Sequence, residues 1–250
     1  MAIPITLEIC ADSIESAQAA ARAGAHRIEL CTSLAEQGLT PSAGVIATVR
    51  QLIPIPLFVM IRPRPGNFFY SPAEFAAMKH DIALAKDLRA DGVVFGILKG
   101  DRTIDQPRNA ELLHLARPLQ ATFHRAFDVS SDLPHSLEAI IQLGFDRLLT
   151  SGGAPRVEQA LPLLKRLRAQ AANQISLMIG SGVNSTNVCS LIDQTGVREV
   201  HTSARRFASS APPQRNEILA ADTLPLSEPA PAVANEQEIR NLLRAIKSMP

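Results

Sequence analysis

Short apolar segments alternate with amphipathic segments along the whole chain, and this alternation predicts repeated strand–helix units. Helices are predicted between the strands, for example over residues 14–23 and 73–89. Eight such units in 250 residues favour an α/β fold, a single (β/α)8 TIM barrel, over an open doubly wound sheet. The eight strands are predicted at residues 5–10, 27–31, 57–62, 92–98, 121–127, 147–151, 176–180 and 199–203.

One long segment departs from this pattern. Residues from about 205 to 235 are rich in proline and alanine and show little periodicity. We interpret this segment as an excursion after the eighth strand, and not as a second domain. A helical pattern returns over residues 236–248, where Ile239, Leu242 and Ile246 share one face. Residues 1–250 are therefore predicted to form one TIM-barrel domain.

Strand alternation predicts which side chains face the barrel interior, because alternate residues of a strand point to opposite sides. In the first strand this parity places Glu8 and Cys10 inside, and the second strand repeats it with Glu29 and Cys31. Two carboxylates and two thiols are thus expected on neighbouring strands. Over the whole barrel, the predicted charged and histidine interior consists of Glu8, Glu29, Arg62, Arg64, His124, Asp128 and His201.

Charged side chains are costly to bury unless they are paired or meet a ligand. One interpretation is purely structural, with Glu8 and Glu29 forming ion pairs with Arg62 and Arg64. The other is functional, because ligand sites of such barrels lie at the carboxyl ends of the strands. In the functional interpretation, the candidate catalytic acid and base groups are Glu8, Glu29, His124, Asp128 and His201.

Small turns rich in hydrogen-bond donors follow the sixth, seventh and eighth strands. Loops at these positions present backbone N–H groups to phosphate in many barrels. Together with nearby guanidinium groups they predict a site for a small anionic or phosphorylated metabolite. The residues predicted to bind this anion are Arg62, Arg64, Arg125, Ser151, Gly152, Gly180, Gly182 and Ser203.

Composition narrows the possible partners. The net charge of +1 comes without a strongly basic run, which argues against nucleic acid. Apolar runs stay far below the roughly 18 residues of a membrane span, and the first residues lack a secretory leader pattern. We therefore expect a cytoplasmic protein that does not bind membranes. The three cysteines, Cys10, Cys31 and Cys189, are then expected to be free thiols or metal ligands.

Several motifs in order along the chain resemble the CutC family. They span roughly residues 5 to 204, and their combination is highly specific. One departure lies after the second strand, where Gln37 occupies a position at which the family commonly has glycine. The motifs are Leu-Glu-Ile-Cys (7–10), Arg-Ile-Glu-Leu-Cys (27–31), Gly-Leu-Thr-Pro-Ser (38–42), Ile-Arg-Pro-Arg (61–64), Phe-His-Arg-Ala-Phe-Asp (123–128), Leu-Thr-Ser-Gly-Gly (149–153) and Glu-Val-His-Thr-Ser-Ala (199–204).

The resemblance implies a TIM barrel, a cytoplasmic location, self-association into a homo-oligomer and an assigned role in copper homeostasis. The family's proposed copper thiols would fall on Cys10 and Cys31, and soft sulfur ligands suit Cu(I). Three functions remain open at this point. The chain is a Cu(I)-binding protein, an enzyme acting on a small anionic metabolite, or a regulatory or scaffolding barrel.

Overall fold

The computed structural model describes residues 5–205 and 233–249, which form a closed barrel of eight parallel strands in chain order. The predicted fold class is confirmed. Of the predicted excursion at about 205–235, residues 206–232 lie outside the described residues. The strands are β1 (Thr6–Ala11), β2 (Arg27–Leu30), β3 (Leu57–Met60), β4 (Gly92–Phe95), β5 (Gln120–Phe123), β6 (Arg147–Thr150), β7 (Ser176–Ile179) and β8 (Glu199–Thr202).

Helices between the strands cover the outside of the barrel, and local sequence explains where they begin and end. Ser13 accepts a hydrogen bond from the backbone N–H of Ser16 and begins the first helix, which Gly24 ends with a φ of 95°. Ser71 and Glu74 form a capping box at the third. The helices are α1 (Ile14–Ala23), α2 (Ala43–Leu52), α3 (Pro72–Asp87), α4 (Gln106–Ala116), α5 (Leu133–Leu143), α6 (Leu161–Ala171), α7 (Val188–Thr195) and α8 (Glu236–Lys247).

Several strands end earlier than predicted. β3 ends at Met60, and β5 is followed by a short 3-10 turn at Arg125–Val129. His124 stops β5 because its Nδ1 accepts a hydrogen bond from the backbone N–H of Ala126, at 3.3 Å, and so caps this turn. Alternation of side chains is a property of extended backbone, and it therefore stops predicting orientation beyond these strand ends.

The two faces of the barrel wall carry different side chains, as alternation predicts for β1 and β2. Leu7 and Ile9 are fully buried in the main hydrophobic core, which includes the apolar side chains of the surrounding helices. The opposite face contributes to a second, small apolar cluster, whose buried members are Cys10, Cys31, Phe58, Met60 and Val94.

A network of ion pairs fills the barrel interior near the amino ends of the strands. Arg27 donates to Glu8 at 2.5 Å and to Glu199 at 2.6 Å. Arg147 donates to the same oxygen of Glu199 at 2.5 Å. The guanidinium groups of both arginines also lie over the ring of Phe58, with 4.9 and 5.3 Å between each Cζ and the ring centroid. This layer closes the lower end of the barrel.

The Phe58 ring packs tightly against the backbone of β4. It lies opposite Gly92 in the β3–β4 register, and a Cβ built on Gly92 would approach the Phe58 ring to 2.6 Å. A methyl group there must displace the ring and thereby the two guanidinium groups that contact it.

We predict that Gly92→Ala lowers the free energy of unfolding by about 1–3 kcal/mol, the usual cost of overpacking a core. Gly100→Ala is the matched control, since a Cβ at Gly100 meets nothing within 4 Å. Urea denaturation monitored by circular dichroism measures both variants. Equal stability of the two variants would contradict the close packing of Phe58.

Candidate functional site

A cavity of about 270 Å³ opens at the carboxyl ends of the strands. We call it the mouth cavity. It brings together residues from strand ends and loops that are far apart in the sequence. Predicted site residues that line it are Cys10, Glu29, Arg62, His124, Arg125, Gly182, His201 and Ser203. It is also lined by Leu34, Gln37, Met60, Phe68, Leu149, Ser181 and Thr202.

His201 stands at the floor of the mouth cavity, between two carboxylates. Its Nδ1 lies 2.7 Å from Glu8 Oε1, and its Nε2 lies 3.7 Å from Glu29 Oε2. Burial alone would lower the pKa of His201, but the charge of Glu29 and hydrogen bonds with Cys10 and Glu8 raise it well above its ordinary value. Glu8 therefore fixes the orientation of the ring, so that Nε2 points toward Glu29 and Cys10.

Glu8 is fully buried and ionised. Burial alone would raise its pKa, but the Arg27 guanidinium and the His201 imidazole outweigh this effect and hold the pKa well below its usual range. The structural interpretation, in which Glu8 and Glu29 form ion pairs with Arg62 and Arg64, does not hold for Glu8, because its partner is Arg27. Both oxygens of Glu8 are used by Arg27 and His201, so its role is to position these two groups.

Glu29 differs from Glu8 although both carboxylates are buried. Burial and the neighbouring charge of Glu8 raise the pKa of Glu29, while His201 opposes this effect in part. Its Oε1 is buried without a hydrogen-bond partner among the described residues. Glu29 thus has an oxygen available to a ligand in the mouth cavity.

The two predicted thiols lie in contact. Cys10 Sγ and Cys31 Sγ are 3.7 Å apart, and both side chains are buried. Their hydrogen bond, together with burial and the charge of Glu29, raises the pKa of Cys10. A ligand atom from each of Cys10, Glu29 and His201 lies within 4.8 Å of the other two, so these side chains can share one metal ion.

His124 lies on the opposite wall of the mouth cavity, and it is a neutral donor. Burial and the charge of Arg62 lower its pKa to about 3. Since Nδ1 accepts the N–H of Ala126, the proton of the neutral ring resides on Nε2. That Nε2 is buried and has no hydrogen-bond partner in residues 5–205 and 233–249.

Arg62 is only 3% exposed, and neutral carbonyl groups hold it in place. Its Nη1 donates to the carbonyl oxygens of Glu36 and Gly38, and its Nη2 donates to that of Gly66. The side chain stacks on Phe68, with 5.0 Å from Cζ to the ring centroid. Within the described ranges, its charge has no carboxylate within ion-pair distance.

Arg64 does not face the interior, and that prediction is wrong. It donates to Glu74 Oε1 at 2.5 Å and also binds the loop that contains Asn67 and Phe69. The residue lies beyond the end of β3, where alternation no longer holds. It helps to fix the loop before α3 and does not line the mouth cavity.

Asp128 holds the turn after β6. Its carboxylate accepts hydrogen bonds from the Thr150 hydroxyl, the backbone N–H groups of Ser151 and Gly153, and the Arg125 guanidinium. These donors use the oxygens of Asp128, so the carboxylate positions the turn and Arg125. Of this cluster, only Arg125 lines the mouth cavity.

The remaining predicted anion-binding residues divide between the cavity and its surroundings. Gly182 and Ser203 line the mouth cavity, whereas Gly152 and Gly180 pack against neighbouring elements. A Cβ at Gly152 would approach Ala160 to 2.6 Å, and one at Gly180 would approach Leu149 to 3.0 Å. Packing therefore requires glycine at position 152, whereas a side chain at position 180 would need Leu149 to shift by a few tenths of an ångström.

The departure from the family pattern in the loop after β2 has a structural consequence. Gln37 takes a φ of 68°, in the left-handed region that favours glycine. Its side chain lines the mouth cavity, where a glycine would leave open space.

Sequence reasoning missed three charged residues of the interior, Arg27, Arg147 and Glu199. Each is the first residue of its strand. Arg27 lies two residues before Glu29, and Glu199 lies two residues before His201, so each faces the same side of its strand as that predicted interior residue. Extending the alternation by one step toward the amino end would have found these two.

We predict that one histidine stays neutral down to about pH 4, with its proton on Nε2. The folded protein resists protonation of His124 until about pH 3, whereas an unfolded chain binds this proton near pH 6.5. The contribution of His124 to the free energy of unfolding is thus fully present above pH 6.5 and decreases as the pH falls toward 3. Nitrogen-15 NMR of the imidazole rings measures the titration.

His124→Asn assigns that signal by removing it, and the exposed His114 provides a reference resonance. Titration of the assigned ring between pH 6 and 7 would contradict a neutral donor in the cavity wall.

Comparisons with known proteins agree with the geometry of the barrel. The sequence profile of the CutC family matches residues 5–206. The human protein named copper homeostasis protein cutC homolog is 45% identical over 244 residues, which are 97% of this chain and 89% of that one. A CutC family protein of Bacteroides thetaiotaomicron is 44% identical over 243 residues, which are 96% of this chain and 98% of that protein.

A solved structure extends the likeness to three dimensions. The crystal structure of CutC from Streptococcus agalactiae superposes with a TM-score of 0.76 at 36% identity, and it covers 80% of this chain and 98% of its own. In the described part of the present structure, no helix is long and apolar enough to cross a membrane. The length of the profile match and the identity to these relatives establish that the chain belongs to the CutC family.

Proposed function

We propose that the chain acts in copper homeostasis by binding Cu(I) between Cys10 and Cys31 in the barrel interior. The observation that carries this proposal is the 3.7 Å contact between the two Sγ atoms. Two sulfur ligands at about 2.3 Å from one metal ion are at most about 4.6 Å apart, so both thiolates can bind the same ion. Soft thiolate ligands favour Cu(I) over harder ions.

The surroundings of the thiols support a metal ion. His201 directs Nδ1 to Glu8 and keeps Nε2 near Cys10, and this carboxylate–histidine arrangement is common behind metal-ligating histidines. Glu29 supplies a further oxygen within the same group. Binding must displace the thiol protons, which the raised pKa of Cys10 opposes, so copper has to supply this free energy.

The relatives support the same role through their names, since the human and mouse proteins are called copper homeostasis protein cutC homologs. We further propose that the protein is cytoplasmic and forms a homo-oligomer, as the family resemblance implies. A reducing compartment keeps Cys10 and Cys31 as thiols, the form that Cu(I) requires.

We predict that Cys10→Ser combined with Cys31→Ser weakens Cu(I) binding by about 100-fold or more, because serine hydroxyls are poor ligands for a soft ion. Competition with a Cu(I) chelator measures the affinity. The control is Cys189→Ser, since Cys189 lies on α7 outside the group of potential metal ligands, and its Sγ donates to the carbonyl oxygen of Ala245 at 3.3 Å, as a serine hydroxyl can.

The control variant should bind Cu(I) like the unmodified protein. Unchanged affinity in the double variant, with its fold verified by circular dichroism, would place the copper site elsewhere and refute this proposal.

A second candidate function is an enzyme that acts on a small anionic or phosphorylated metabolite in the mouth cavity. A specific observation favours it, namely that Glu29 Oε1 and His124 Nε2 are buried at the cavity without partners in the described residues. A buried polar group without a partner is costly, and a bound metabolite would satisfy both of them at once. In this candidate, Glu29 and His201 are the acid and base groups, and His124 and Arg62 bind substrate.

Glu29→Gln distinguishes this candidate from a scaffolding barrel. We predict that the variant keeps its melting temperature within about 2 °C but loses the thermal stabilisation that a bound metabolite gives the unmodified protein. Differential scanning fluorimetry against sugar phosphates and small carboxylates provides the measurement. If no compound stabilises either protein and the variant alone is strongly destabilised, the interior charges are structural.

A further inference from the structure

The mouth cavity contains a buried positive charge that the described residues do not neutralise. Arg62 is 3% exposed, and three of its five N–H donors bind the carbonyl oxygens of Glu36, Gly38 and Gly66. Carbonyl groups satisfy hydrogen bonds without cancelling charge. In residues 5–205 and 233–249, no carboxylate forms an ion pair with it, and a buried unpaired charge is strongly unfavourable.

The other cations of the cavity are already balanced. Arg125 pairs with Asp128 at 2.7 Å. His201 lies between Glu8 and Glu29, which provide negative charge on either side of its ring. Among the residues that the structure describes, one unit of positive charge, that of Arg62, therefore remains for a ligand.

A neutral hydrogen-bond donor accompanies this charge. His124 is 3% exposed and lines the same cavity, and its Nε2–H has no partner in the described residues. The ring is held firmly, since Nδ1 binds the N–H of Ala126 and a Cβ at Gly96 would approach Nδ1 to 2.9 Å. Phe68 packs against it with ring centroids 4.9 Å apart. A fixed N–H of this kind is suited to a carbonyl or hydroxyl oxygen.

From these observations we propose that the mouth cavity binds a small 2-oxo or 2-hydroxy monocarboxylate, with its carboxylate beside Arg62 and its C2 oxygen accepting from His124 Nε2–H. The inference rests on the second candidate function, because it names the ligand class of that cavity, and it is independent of copper. A cavity of about 270 Å³ holds a compound of this size.

The charge balance favours a carboxylate over a phosphate ester. A carboxylate brings one negative charge, which matches the charge of Arg62. A phosphate monoester brings about 1.5 to 2 negative charges at neutral pH. The excess would lie in the same cavity as the Glu29 carboxyl group and would be repelled by it.

The test is calorimetric titration of the copper-free protein with pyruvate, with its uncharged analogue pyruvamide and with inorganic phosphate. We expect pyruvate to bind, pyruvamide to bind at least about tenfold more weakly because it lacks the charge, and phosphate not to bind. Equal binding of pyruvate and pyruvamide, binding of phosphate alone, or no binding of pyruvate at about 20 mM would each overturn the proposal.

A matched pair of variants tests the role of His124. In His124→Asn the side-chain oxygen can still accept the Ala126 N–H, but the donor at the position of Nε2 is lost. In His124→Gln an amide N–H reaches that position. We expect pyruvate affinity to fall about tenfold or more in the first variant and to stay within about threefold in the second. Equal loss in both would refute the hydrogen bond.

The copper proposal and this one can fail separately. Cys10→Ser with Cys31→Ser should leave pyruvate binding unchanged, because neither thiol carries the ligand's charge or its hydrogen bond. His124→Asn should leave Cu(I) affinity unchanged. Loss of pyruvate binding in the double cysteine variant, with the fold intact, would show that the ligand contacts the thiols and would contradict the arrangement proposed here.

Discussion

The Glu8 carboxylate is the group on which the barrel interior depends. It is fully buried, and such a charge is tolerated only because Arg27 donates to one oxygen while His201 binds the other. Arg27 in turn connects Glu8 to Glu199 and through it to Arg147. The ion pairs that close the lower end of the barrel thus also determine that His201 directs Nε2, and not Nδ1, toward the ligand cavity.

This arrangement divides the interior into two regions with different chemistry. Near the amino ends of the strands, Arg27 and Arg147 both form ion pairs with Glu199, and both guanidinium groups contact the Phe58 ring. Above, Glu29 keeps an unpartnered oxygen as far as the described residues show. The lower region therefore stabilises the fold, while the upper region has hydrogen-bonding capacity left for a ligand.

The alternation of strand and helix patterns predicted the fold. The alternation of side chains along each strand predicted much of the barrel interior, but only where the backbone is extended. It placed Glu8, Glu29 and Cys10 correctly because these residues lie within β1 and β2. It failed for Arg64, which follows β3 in a loop that turns its side chain toward Glu74. The sequence also could not predict the ion-pair partners, because Arg27 and Glu199 are 172 residues apart in the chain and only the closed barrel brings them together.

Two candidate functions share one cavity because their ligands need different parts of it. A copper ion requires the thiols and His201 at the floor, whereas an organic anion requires Arg62 and His124 on the walls. Since Glu29 lies in both groups, a metal ion that takes its oxygen would remove the carboxyl group that the second candidate needs. A bound metal ion would then block the acid or base role of Glu29, while Arg62 and His124, which would bind the organic anion, lie outside the metal-ligand group.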